Sequence, residues 1–406
     1  MNINDGKAKH SCTSCQMCAA VCPKNAITIS LDKDGFYRPI VDSNLCVNCS
    51  ICTNICYKYD NQIEDFGKDK LASTILYGAS AKDVNIVKRT TSGGIADILA
   101  HELMQEGYKC VGVVYDSEYD IAIDIIANSE ADLDKFRGSK YIQSYTFNAF
   151  KEIVNNCKNE KYAIFGTPCH IFSIDKFLRQ RKVRDQHILI DLYCHGCPSM
   201  LIWEKYIKKI KEKTFYTKID NVNFRSKTMG WGNYSMEIST NGKIQYHSNN
   251  RHNEFFDLFF SDQILNDACN DCKLRGTLAY TDIRLGDFWG KQYVMNLKGV
   301  SAVSLVTDKA KALFATISDK VTYKKERYEN FLPWQSWGKK HNPKPELRKI
   351  LLEQLRDKNT TLDLCIHTIH RQQSLREKLS RHCKNFVHVF PIQFEKYIRW
   401  VFYHLR

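Results

Sequence analysis

Eight cysteines near the amino terminus form two runs with the same spacing. Each run reads C-x2-C-x2-C-x3-C, and every cysteine of the second run lies 34 residues after its counterpart in the first. The first run is Cys12, Cys15, Cys18 and Cys22, and the second is Cys46, Cys49, Cys52 and Cys56. Cysteine thiolates are the ligands of iron–sulfur clusters, so the runs predict two [4Fe-4S] clusters and a protein that transfers electrons.

The fourth cysteine of each run is predicted to bind the other cluster, as it does in bacterial two-cluster ferredoxins. Three cysteines on one tight loop can hold three corners of a cube, whereas the fourth begins a helix and points elsewhere. The expected ligand sets are Cys12, Cys15, Cys18 with Cys56, and Cys46, Cys49, Cys52 with Cys22. Tyr57 stands where a proline would complete the second run, and this departure leaves all the thiols in place.

Zinc sites and disulfide bonds account for these cysteines less well. Zinc usually takes its cysteines as two separated C-x2-C pairs, which is a different pattern from a triplet followed by a fourth. A disulfide framework is disfavoured because the starting residues MNINDGKAKH contain no apolar signal segment. The 17 cysteines in 406 residues suit a reducing interior, so we expect a cytoplasmic protein of an anaerobic organism.

The chain is longer than one typical domain, and its patterns divide it into three regions. Residues 1–60 predict a ferredoxin-like module, with strands NAITIS and FYRPIV around a DKDG turn. After a polar linker, residues 71–330 alternate strands with helices, and residues 331–406 form a basic helical C-terminal region. The predicted fold class is α/β, or α+β overall, with a mixed sheet in the body.

Several elements of the body can be placed from hydrophobic periodicity. Helices are predicted at residues 95–106 and 171–181, and buried strands at residues 110–115, 162–165, 188–193 and 282–285. A β ribbon is predicted from residues 222–224, 234–239 and 243–246, with a turn at Asn241-Gly242. Two of the buried strands lead into turns that carry cysteines, so we expect candidate sites at the strand ends.

The net charge of +14 is concentrated in the C-terminal region. Residues 331–406 contain 15 Lys and Arg against 6 Asp and Glu, and residues 394–406 interleave aromatic with basic side chains. We favour a helix that packs on the body over one that contacts an anionic membrane surface. Nucleic acid is not expected as a partner, because no recognition motif accompanies the charge. No segment has the length of uninterrupted apolar sequence that spans a bilayer.

Two polar segments of the body suit a phosphate or a cofactor ring. Thr91-Ser92-Gly93-Gly94 precedes a predicted helix, whose free N–H groups attract phosphate; the simpler alternative is an ordinary N-cap by Ser92. Arg137-Gly138-Ser139-Lys140-Tyr141 clusters donors and cations beside a glycine, although its spacing alone favours a solvated loop. Asp287, after the strand at 282–285, is a further candidate for binding a ribityl hydroxyl or a ring nitrogen, and equally for capping the next turn.

A third metal site is suggested by cysteines in the body. Cys169 and Cys194 follow two predicted strands, and Cys269 and Cys272 form a C-x2-C pair. Thiolates select soft metal centres, although each lone cysteine is more often a small buried residue. His170 and His195, which are next to two of these cysteines, are interpreted as hydrogen-bonded structural or substrate-facing residues rather than as metal ligands. The remaining patternless cysteines are interpreted as structural: Cys110, Cys157, Cys365 and Cys383.

Six of these segments, taken in order, resemble the beta subunits of coenzyme F-420 hydrogenases and dehydrogenases. They read RTTSGG, FRGSKYIQS, FGTPCH, DLYCHGCPS, FRSKTMGW and DIRLGDFWG. With its N-terminal two-cluster ferredoxin module, the chain also resembles members of this family that are associated with polysaccharide biosynthesis. The resemblance implies a flavoprotein that binds FAD and passes electrons between clusters and a deazaflavin or another acceptor.

The resemblance also implies roles for individual residues. Ser92, Gly93 and Gly94 match a flavin-phosphate loop, and Ser139, Lys140 and Tyr141 match a segment lining the flavin. Cys169, Cys194, Cys269 and Cys272 match recurring cysteines expected to hold the extra [4Fe-4S] cluster. His170 stands where the family usually has glutamine and Cys197 where it has an apolar residue, which leaves open whether Cys197 replaces Cys194 as a ligand.

The sequence therefore predicts an FAD-dependent iron–sulfur oxidoreductase. Lys140 and His170 are the candidate catalytic residues, with Lys140 expected to stabilise a reduced anionic flavin. The partner would be a redox carrier, such as a deazaflavin or a ferredoxin, and possibly a biosynthetic protein. The alternative is a non-catalytic electron-transfer subunit that carries clusters for a partner enzyme. Donor, acceptor, pathway and oligomeric state cannot be read from the residues.

Overall fold

A computed structural model describes residues 1–404 except residues 6, 217, 233–234, 250–252, 388–389 and 391. Within these residues, a small cysteine-rich module packs against a body built on a nine-stranded mixed sheet. A three-stranded antiparallel sheet and the C-terminal helices flank the body. The predicted fold class, an α/β body preceded by a ferredoxin-like module and followed by helices, is confirmed.

The strands are given in chain order. They are β1 (Ile27–Leu31), β2 (Tyr37–Val41), β3 (Ile75–Ala81), β4 (Lys109–Asp116), β5 (Ile121–Ile126), β6 (Ser144–Tyr145), β7 (Tyr162–Phe165), β8 (Ile188–Leu192), β9 (Asn221–Ser226), β10 (Ser235–Thr240), β11 (Lys243–Asn249), β12 (Ile283–Asp287), β13 (Ser301–Leu305) and β14 (Val321–Glu326). The large sheet has the order β14-β3-β13-β12-β8-β7-β4-β5-β6, and the small one β11-β10-β9.

The α-helices are likewise given in chain order. They are α1 (Met17–Ala20), α2 (Ile51–Asn54), α3 (Lys68–Ala72), α4 (Val84–Arg89), α5 (Ile95–Gln105), α6 (Glu130–Phe136), α7 (Phe147–Asn156), α8 (Pro168–Gln180), α9 (Met200–Thr214), α10 (Glu254–Phe259), α11 (Asp267–Asn270), α12 (Asp308–Thr316), α13 (Tyr328–Phe331), α14 (Pro345–Arg356), α15 (Leu362–Arg371), α16 (Leu375–Val387) and α17 (Ile392–His404).

The centre of the large sheet is parallel, and this sets where the candidate residues lie. Strands β4, β7, β8 and β12 pair in parallel in that order. The carboxyl ends of parallel strands meet at one edge of a sheet, where α/β proteins place their sites. Cys169 follows β7 in the first turn of α8, Cys194 follows β8, and Asp287 ends β12, so the predicted strand ends share this edge.

The hairpin of the module inserts into the body. The predicted DKDG turn joins β1 to β2, and Gly35 in this turn has a positive φ of 74°. Its carbonyl accepts hydrogen bonds from the Gln143 side chain at 2.7 Å and from the Met200 amide at 2.9 Å. A Cβ at Gly35 would lie 2.9 Å from the Leu201 amide nitrogen. Both the positive φ and the lack of space next to the start of α9 therefore require a glycine at position 35.

Predicted and observed elements differ most at α8. The sequence pattern predicts a helix over residues 171–181, but α8 begins at Pro168 and ends at Gln180. Proline is favoured in the first turn of a helix because its fixed φ is helical and its missing N–H is not needed there. Cys169 and His170 therefore lie in the first turn of α8 instead of in a preceding loop. In the predicted ribbon, Tyr234 lies outside the described residues.

The C-terminal region is in contact with the body along much of its length. Leu347, Leu351 and Leu355 of α14 are buried in the aromatic core around Trp203 of α9. In α17, Lys396 is 6% exposed, and its Nζ donates to the carbonyl of Asn296. The favoured prediction of packing on the body agrees with these contacts. Among the described residues, no helix combines the length and apolarity needed to cross a membrane.

Candidate metal and cofactor site

The two cysteine loops share an uncommon backbone conformation. Ser14 and Gln16 in the first loop have φ values of 64° and 63°, and Asn48 and Ser50 in the second have 52° and 63°. Both pairs are related by the same 34-residue offset as the cysteines. Residues with a Cβ rarely adopt positive φ because the Cβ crowds the backbone. The strained geometry is therefore a repeated property of the cysteine loops.

The first predicted ligand set surrounds a cavity of about 180 Å³, which we call the inner site. Its cysteines are Cys12, Cys15, Cys18 and Cys56, and Ser173 of the body completes its wall. Cys15 and Cys18 are each 8% exposed. Burial raises the pKa of both thiols, and neighbouring thiols raise it further. Four crowded thiols favour a cationic centre, which would let them lose their protons.

The second predicted set surrounds a smaller cavity of about 20 Å³, which we call the outer site. Its cysteines are Cys22, Cys46, Cys49 and Cys52. Cys49 is exposed, and the neighbouring side chains of Leu45 and Val47 are 49% and 59% exposed. The structure thus brings together both predicted cross-paired sets. Each set has two buried cysteines, and the outer set also includes the exposed Cys49.

The side chain of Gln16 links the first cysteine loop to the body through hydrogen bonds. Its side-chain amide donates to the Ser144 carbonyl at 2.9 Å, and its Oε1 accepts from the amides of Thr146 and Phe147 at 3.0 and 3.1 Å. Gln16 is 3% exposed, so these bonds are shielded from water. Tyr57, at the missing-proline position, is also buried against the body, where its hydroxyl accepts from the Lys273 amide at 3.1 Å.

Five cysteines of the body gather at the carboxyl edge of the parallel strands, and we call them the body cysteines. They are Cys169 in α8, Cys194 and Cys197 after β8, Cys269 in α11, and Cys272 just beyond it. The Cys197 amide donates to the Cys269 sulfur at 3.3 Å. Burial raises the pKa of Cys169, Cys197 and Cys269, and neighbouring thiols of the group raise it further. The structure brings the four predicted residues together and adds Cys197.

Two buried arginines counter the cost of negative charge among the body cysteines. Burial raises the pKa of Cys194 to about 11 and that of Cys269 to about 12, and Arg275 opposes both shifts. Arg284 also lowers the pKa of Cys194, while its own charge is balanced by Asp191 at 2.7 Å. These guanidinium groups suit a centre whose thiolates carry net negative charge.

The inner site and the body cysteines share the first turns of α8. Ser173, one turn after Cys169, places its hydroxyl 3.4 Å from the Cys15 sulfur and 3.0 Å from the Cys169 carbonyl. The two thiols are close enough for Cys15 to raise the pKa of Cys169. One turn of helix therefore separates the two groups of cysteines.

The two predicted flavin segments are adjacent in space. The Ser139 amide donates to the Thr91 hydroxyl at 3.0 Å, although the segments lie 48 residues apart. The Ser92 hydroxyl oxygen is buried without a hydrogen-bond partner among the described residues. Such an atom is normally satisfied by water or a ligand. Gly93 is explained by packing, because its Cβ would lie 2.3 Å from the Ala79 carbonyl oxygen.

Lys140 is engaged by the backbone of the preceding helix. Its Nζ donates to the carbonyls of Lys135, Phe136 and Arg137 at 2.8, 3.3 and 3.1 Å. These are unsatisfied carbonyls at the end of α6, where a cation is favourable. Burial lowers the pKa of Lys140 to about 7. A structural cap therefore competes with the predicted role at a flavin.

Asp287 belongs to a buried polar network. Its Oδ1 accepts from the indole N–H of Trp231 at 2.8 Å, and its Oδ2 pairs with the guanidinium of Arg225. Arg225 also donates to the hydroxyl of Tyr141, another predicted flavin residue, at 3.2 Å. The ring of Trp289 stacks on Trp231 with centroids 4.6 Å apart. The network links β9 and β12 to the segment that carries Lys140.

His170 is buried and uncharged at neutral pH. It is 9% exposed, and burial lowers its pKa to about 4. Its ring meets Phe150 edge-on at 5.7 Å. The side chain lies in the same helical turn as Cys169, so it is near the predicted third metal site. A neutral imidazole there is suited to hydrogen bonding, and its predicted catalytic role stays a prediction.

Sequence reasoning did not assign Arg225, Lys227 or Arg275. The first two lie inside the quoted segment FRSKTMGW, and Arg275 follows Cys272 by three residues. Lys227 donates from Nζ to the Ser92 carbonyl at 2.7 Å, which places a cation beside the predicted phosphate loop. The motif was visible, but only the fold shows that its cations reach Ser92 and Asp287.

Comparisons with known proteins agree with this architecture. Residues 159–330 match the family described as the C terminus of the coenzyme F420 hydrogenase/dehydrogenase beta subunit. Residues 11–58 match the 4Fe-4S dicluster domain. The predicted resemblance to these beta subunits is therefore confirmed, together with the predicted dicluster module.

Two curated relatives come from methanogens. One is the F subunit of the F(420)H(2) dehydrogenase of Methanosarcina mazei, 24% identical over 192 residues, or 45% of this chain and 53% of the relative. The other is an uncharacterized protein of Methanocaldococcus jannaschii, 26% identical over 232 residues, or 50% of this chain and 63% of the relative. The chain thus spans between about half and two thirds of these relatives.

One solved structure covers a larger share of the chain. It is a chain of the F420-reducing [NiFe] hydrogenase complex from Methanosarcina barkeri, at 17% identity and a TM-score of 0.44. The match covers 74% of this chain and 92% of the other. The family matches and the curated relatives identify an iron–sulfur protein related to the beta subunits of coenzyme F420 hydrogenases and dehydrogenases.

Proposed function

We propose that the protein is an iron–sulfur flavoprotein oxidoreductase that passes electrons between FAD in the body and a redox carrier or partner protein. Three [4Fe-4S] clusters would connect them: one held by the body cysteines, one in the inner site and one in the outer site. Cys169, Cys194, Cys269 and Cys272 are the proposed ligands of the first, with Cys197 donating its amide to a ligand sulfur.

The shared turn of α8 is the observation that supports this order. The Cys15 sulfur lies 3.4 Å from the Ser173 hydroxyl, one helical turn from Cys169. A cluster in the inner site would therefore neighbour both the body cluster and the outer cluster. Hydrogen bonds to cluster sulfurs and the degree of solvent exposure set reduction potentials, so the three environments would tune the potentials separately.

The flavin is proposed from two features of the body. The buried Ser92 hydroxyl lacks a described partner, and Ser139 lies beside the same loop. Ser92, Gly94 and Ser139 would hold the phosphates, with Lys227 as the neighbouring cation, and Tyr141 and Asp287 would face the ring system. FAD, when bound, supplies the exchange between paired and single electrons. The chain's own task is to bind it and exclude water.

The carrier is proposed to be a deazaflavin or a ferredoxin. The relative from Methanosarcina mazei is named for a reduced coenzyme F420, which supports a deazaflavin, and the dicluster module suits a protein partner of the ferredoxin type. The setting in polysaccharide biosynthesis stays a prediction from the resemblance. The choice of carrier does not change the proposed route through the clusters.

Metal and flavin analysis of protein purified without oxygen tests the proposal. Three clusters of four irons predict about 12 iron and 12 sulfide per chain, against about 8 for the dicluster module alone. FAD should be present at about one per chain and be bleached by a reduced deazaflavin or ferredoxin. Twelve irons per chain without flavin would contradict the proposed flavoprotein oxidoreductase. That result would favour the alternative, an electron-transfer subunit of a partner enzyme.

Two substitutions test the flavin loop and the lysine. Ser92→Ala should lower FAD occupancy, whereas Ser73→Ala, at an exposed serine, should not. Lys140→Met should lower the flavin potential if Lys140 stabilises a reduced anionic flavin, and Lys140→Arg should largely restore it. An unchanged potential together with a lower melting temperature would assign Lys140 to capping α6 alone.

A further inference from the structure

Two histidines and an aspartate converge beside the body cysteines without being part of them. His195 follows β8, Asp262 follows α10, and His341 lies in the segment before α14. One potential ligand atom from each lies within 4.8 Å of the other two. His195 Nε2 is 2.7 Å from Asp262 Oδ1, and His341 Nδ1 is 2.9 Å from Asp262 Oδ2. We call these residues the His–Asp–His cluster.

The hydrogen-bond partners of His341 leave one position that needs a cation. Its Nε2 lies 2.8 Å from the His195 carbonyl oxygen, which can only accept. Its Nδ1 faces the Asp262 carboxylate, which also only accepts when ionised. A neutral imidazole has a single N–H, so its other nitrogen would face an oxygen lone pair. A second proton or a metal ion at Nδ1 removes this conflict, and either one leaves Nε2–H donating to the carbonyl.

This arrangement is the one seen around metal-bound imidazoles. A ligating histidine usually donates its second N–H to a backbone carbonyl, a carboxylate or water, which fixes the ring and its tautomer. His341 has such a carbonyl. His195 has the hydroxyl of Ser336 at 3.3 Å from Nδ1, and a hydroxyl can accept that N–H. Both rings can therefore present a bare nitrogen toward Asp262.

The surroundings leave one side of the cluster open. His341 is 8% exposed, while the side chains of His195 and Asp262 are 29% and 32% exposed. The His195 ring packs against Phe259 and Phe260, with centroids 5.3 and 5.6 Å away. Three protein ligands with aromatic walls and a solvent-facing side leave room for water as a further ligand, as in open zinc sites.

We propose that His195, Asp262 and His341 bind a divalent transition-metal ion, with Zn²⁺ as the most suitable probe. Two imidazoles and one carboxylate select zinc or a similar ion over magnesium or calcium, which prefer oxygen ligands. The site is distinct from the iron–sulfur centres, because none of its ligands is a cysteine. It would tie the loop that carries Cys194 to the segment before α14.

The test uses the full chain purified without oxygen, with its iron content measured first. The protein is incubated with a small excess of ZnCl₂, desalted and analysed for zinc, iron and sulfide. Wild type should retain about one zinc per chain. His341→Gln and Asp262→Asn should weaken zinc binding by about tenfold or more with iron unchanged. Asparagine tolerates the left-handed backbone of Asp262, whose φ is 62°.

His367→Gln is the matched control, because His367 is an exposed histidine of α15 remote from the cluster in sequence. It should retain zinc like wild type. Diffraction data collected above and below the zinc edge locate the ion, and a peak between the three side chains supports the site. Three results would each overturn it: no retained zinc in wild type, equal retention in the variants, or a zinc peak at cysteine sulfurs.

Discussion

The inner and outer sites come from the same sequence repeat but lie in different environments. Their cysteines have equal spacing, and the loops share the same left-handed positions. The inner cavity measures about 180 Å³ and has Ser173 of the body in its wall, whereas the outer one measures about 20 Å³ and includes the exposed Cys49. Local sequence therefore sets how each loop points its thiols, and docking on the body decides what each site can contact.

The largest effect is expected from removing a buried ligand of the inner site. Cys18→Ser should remove about four irons per chain and, because the inner cluster is proposed to connect the other two, reduce electron transfer through the protein by about 100-fold or more. Iron analysis and the rate of acceptor reduction measure both effects. Cys383→Ser, at an exposed cysteine of α16, is the control and should change neither. An unchanged rate would show that the inner site is not on the path.

A smaller and more selective effect is expected from the outer site. Cys49→Ser should weaken or remove the outer cluster and slow transfer to a protein acceptor, while reduction of the body cofactors by the donor stays near normal. Stopped-flow absorbance separates the two phases. Equal slowing of donor oxidation and of transfer to the protein acceptor would contradict separate roles for the inner and outer sites.

Gln16 and Ser50 provide a matched pair, because they are equivalent residues of the two loops. Gln16→Ala removes three buried hydrogen bonds to the body and should cost about 2–4 kcal/mol of stability. The Ser50 hydroxyl makes an exposed bond to the Met1 carbonyl at 3.3 Å, so Ser50→Ala should cost about 0.5 kcal/mol or less. Anaerobic thermal unfolding compares them, and equal losses would contradict the asymmetry.

The smallest expected effect concerns the potential of one cluster. The Ser173 hydroxyl lies 3.4 Å from the Cys15 sulfur, and a hydrogen bond to a cluster sulfur stabilises the reduced form. Ser173→Ala should lower the potential of the inner cluster and leave the outer one unchanged. Redox titration followed by electron paramagnetic resonance resolves the two. A shift in both potentials would point to a general change in packing.

Much of this architecture could be predicted because it depends on local pattern. The cysteine spacing, the hairpin around Gly35 and the strand at residues 162–165 are encoded within short segments, and the structure places all three as expected. The predicted start of α8 is wrong because the pattern assigns Pro168 to a turn, although proline fits the first turn of a helix. The error matters, since it moves Cys169 onto the helix shared with the inner site.

Other features depend on contacts between distant residues and have no local signature. Cys197 joins the body cysteines, and Arg225 reaches Asp287, only because the strands assemble in the observed order. Lys140 is a different case, because its Nζ reaches the carbonyls of Lys135, Phe136 and Arg137, a contact that is local in sequence but was not recognised from the pattern. The His–Asp–His cluster combines residues 67 and 79 positions apart, which no motif search would connect.

The burial of Cys15 and Cys18 has a consequence for how the protein matures. A donor that delivers iron and sulfide can approach Cys49 in the finished fold, because that side chain is at the surface. Cys15 and Cys18 are covered once Gln16 has fastened its loop to the strand at Ser144. If each half of the repeat holds a cluster, we therefore expect the two to mature differently: the inner cluster would be loaded before the module packs on the body, and the outer cluster could be loaded or repaired afterwards.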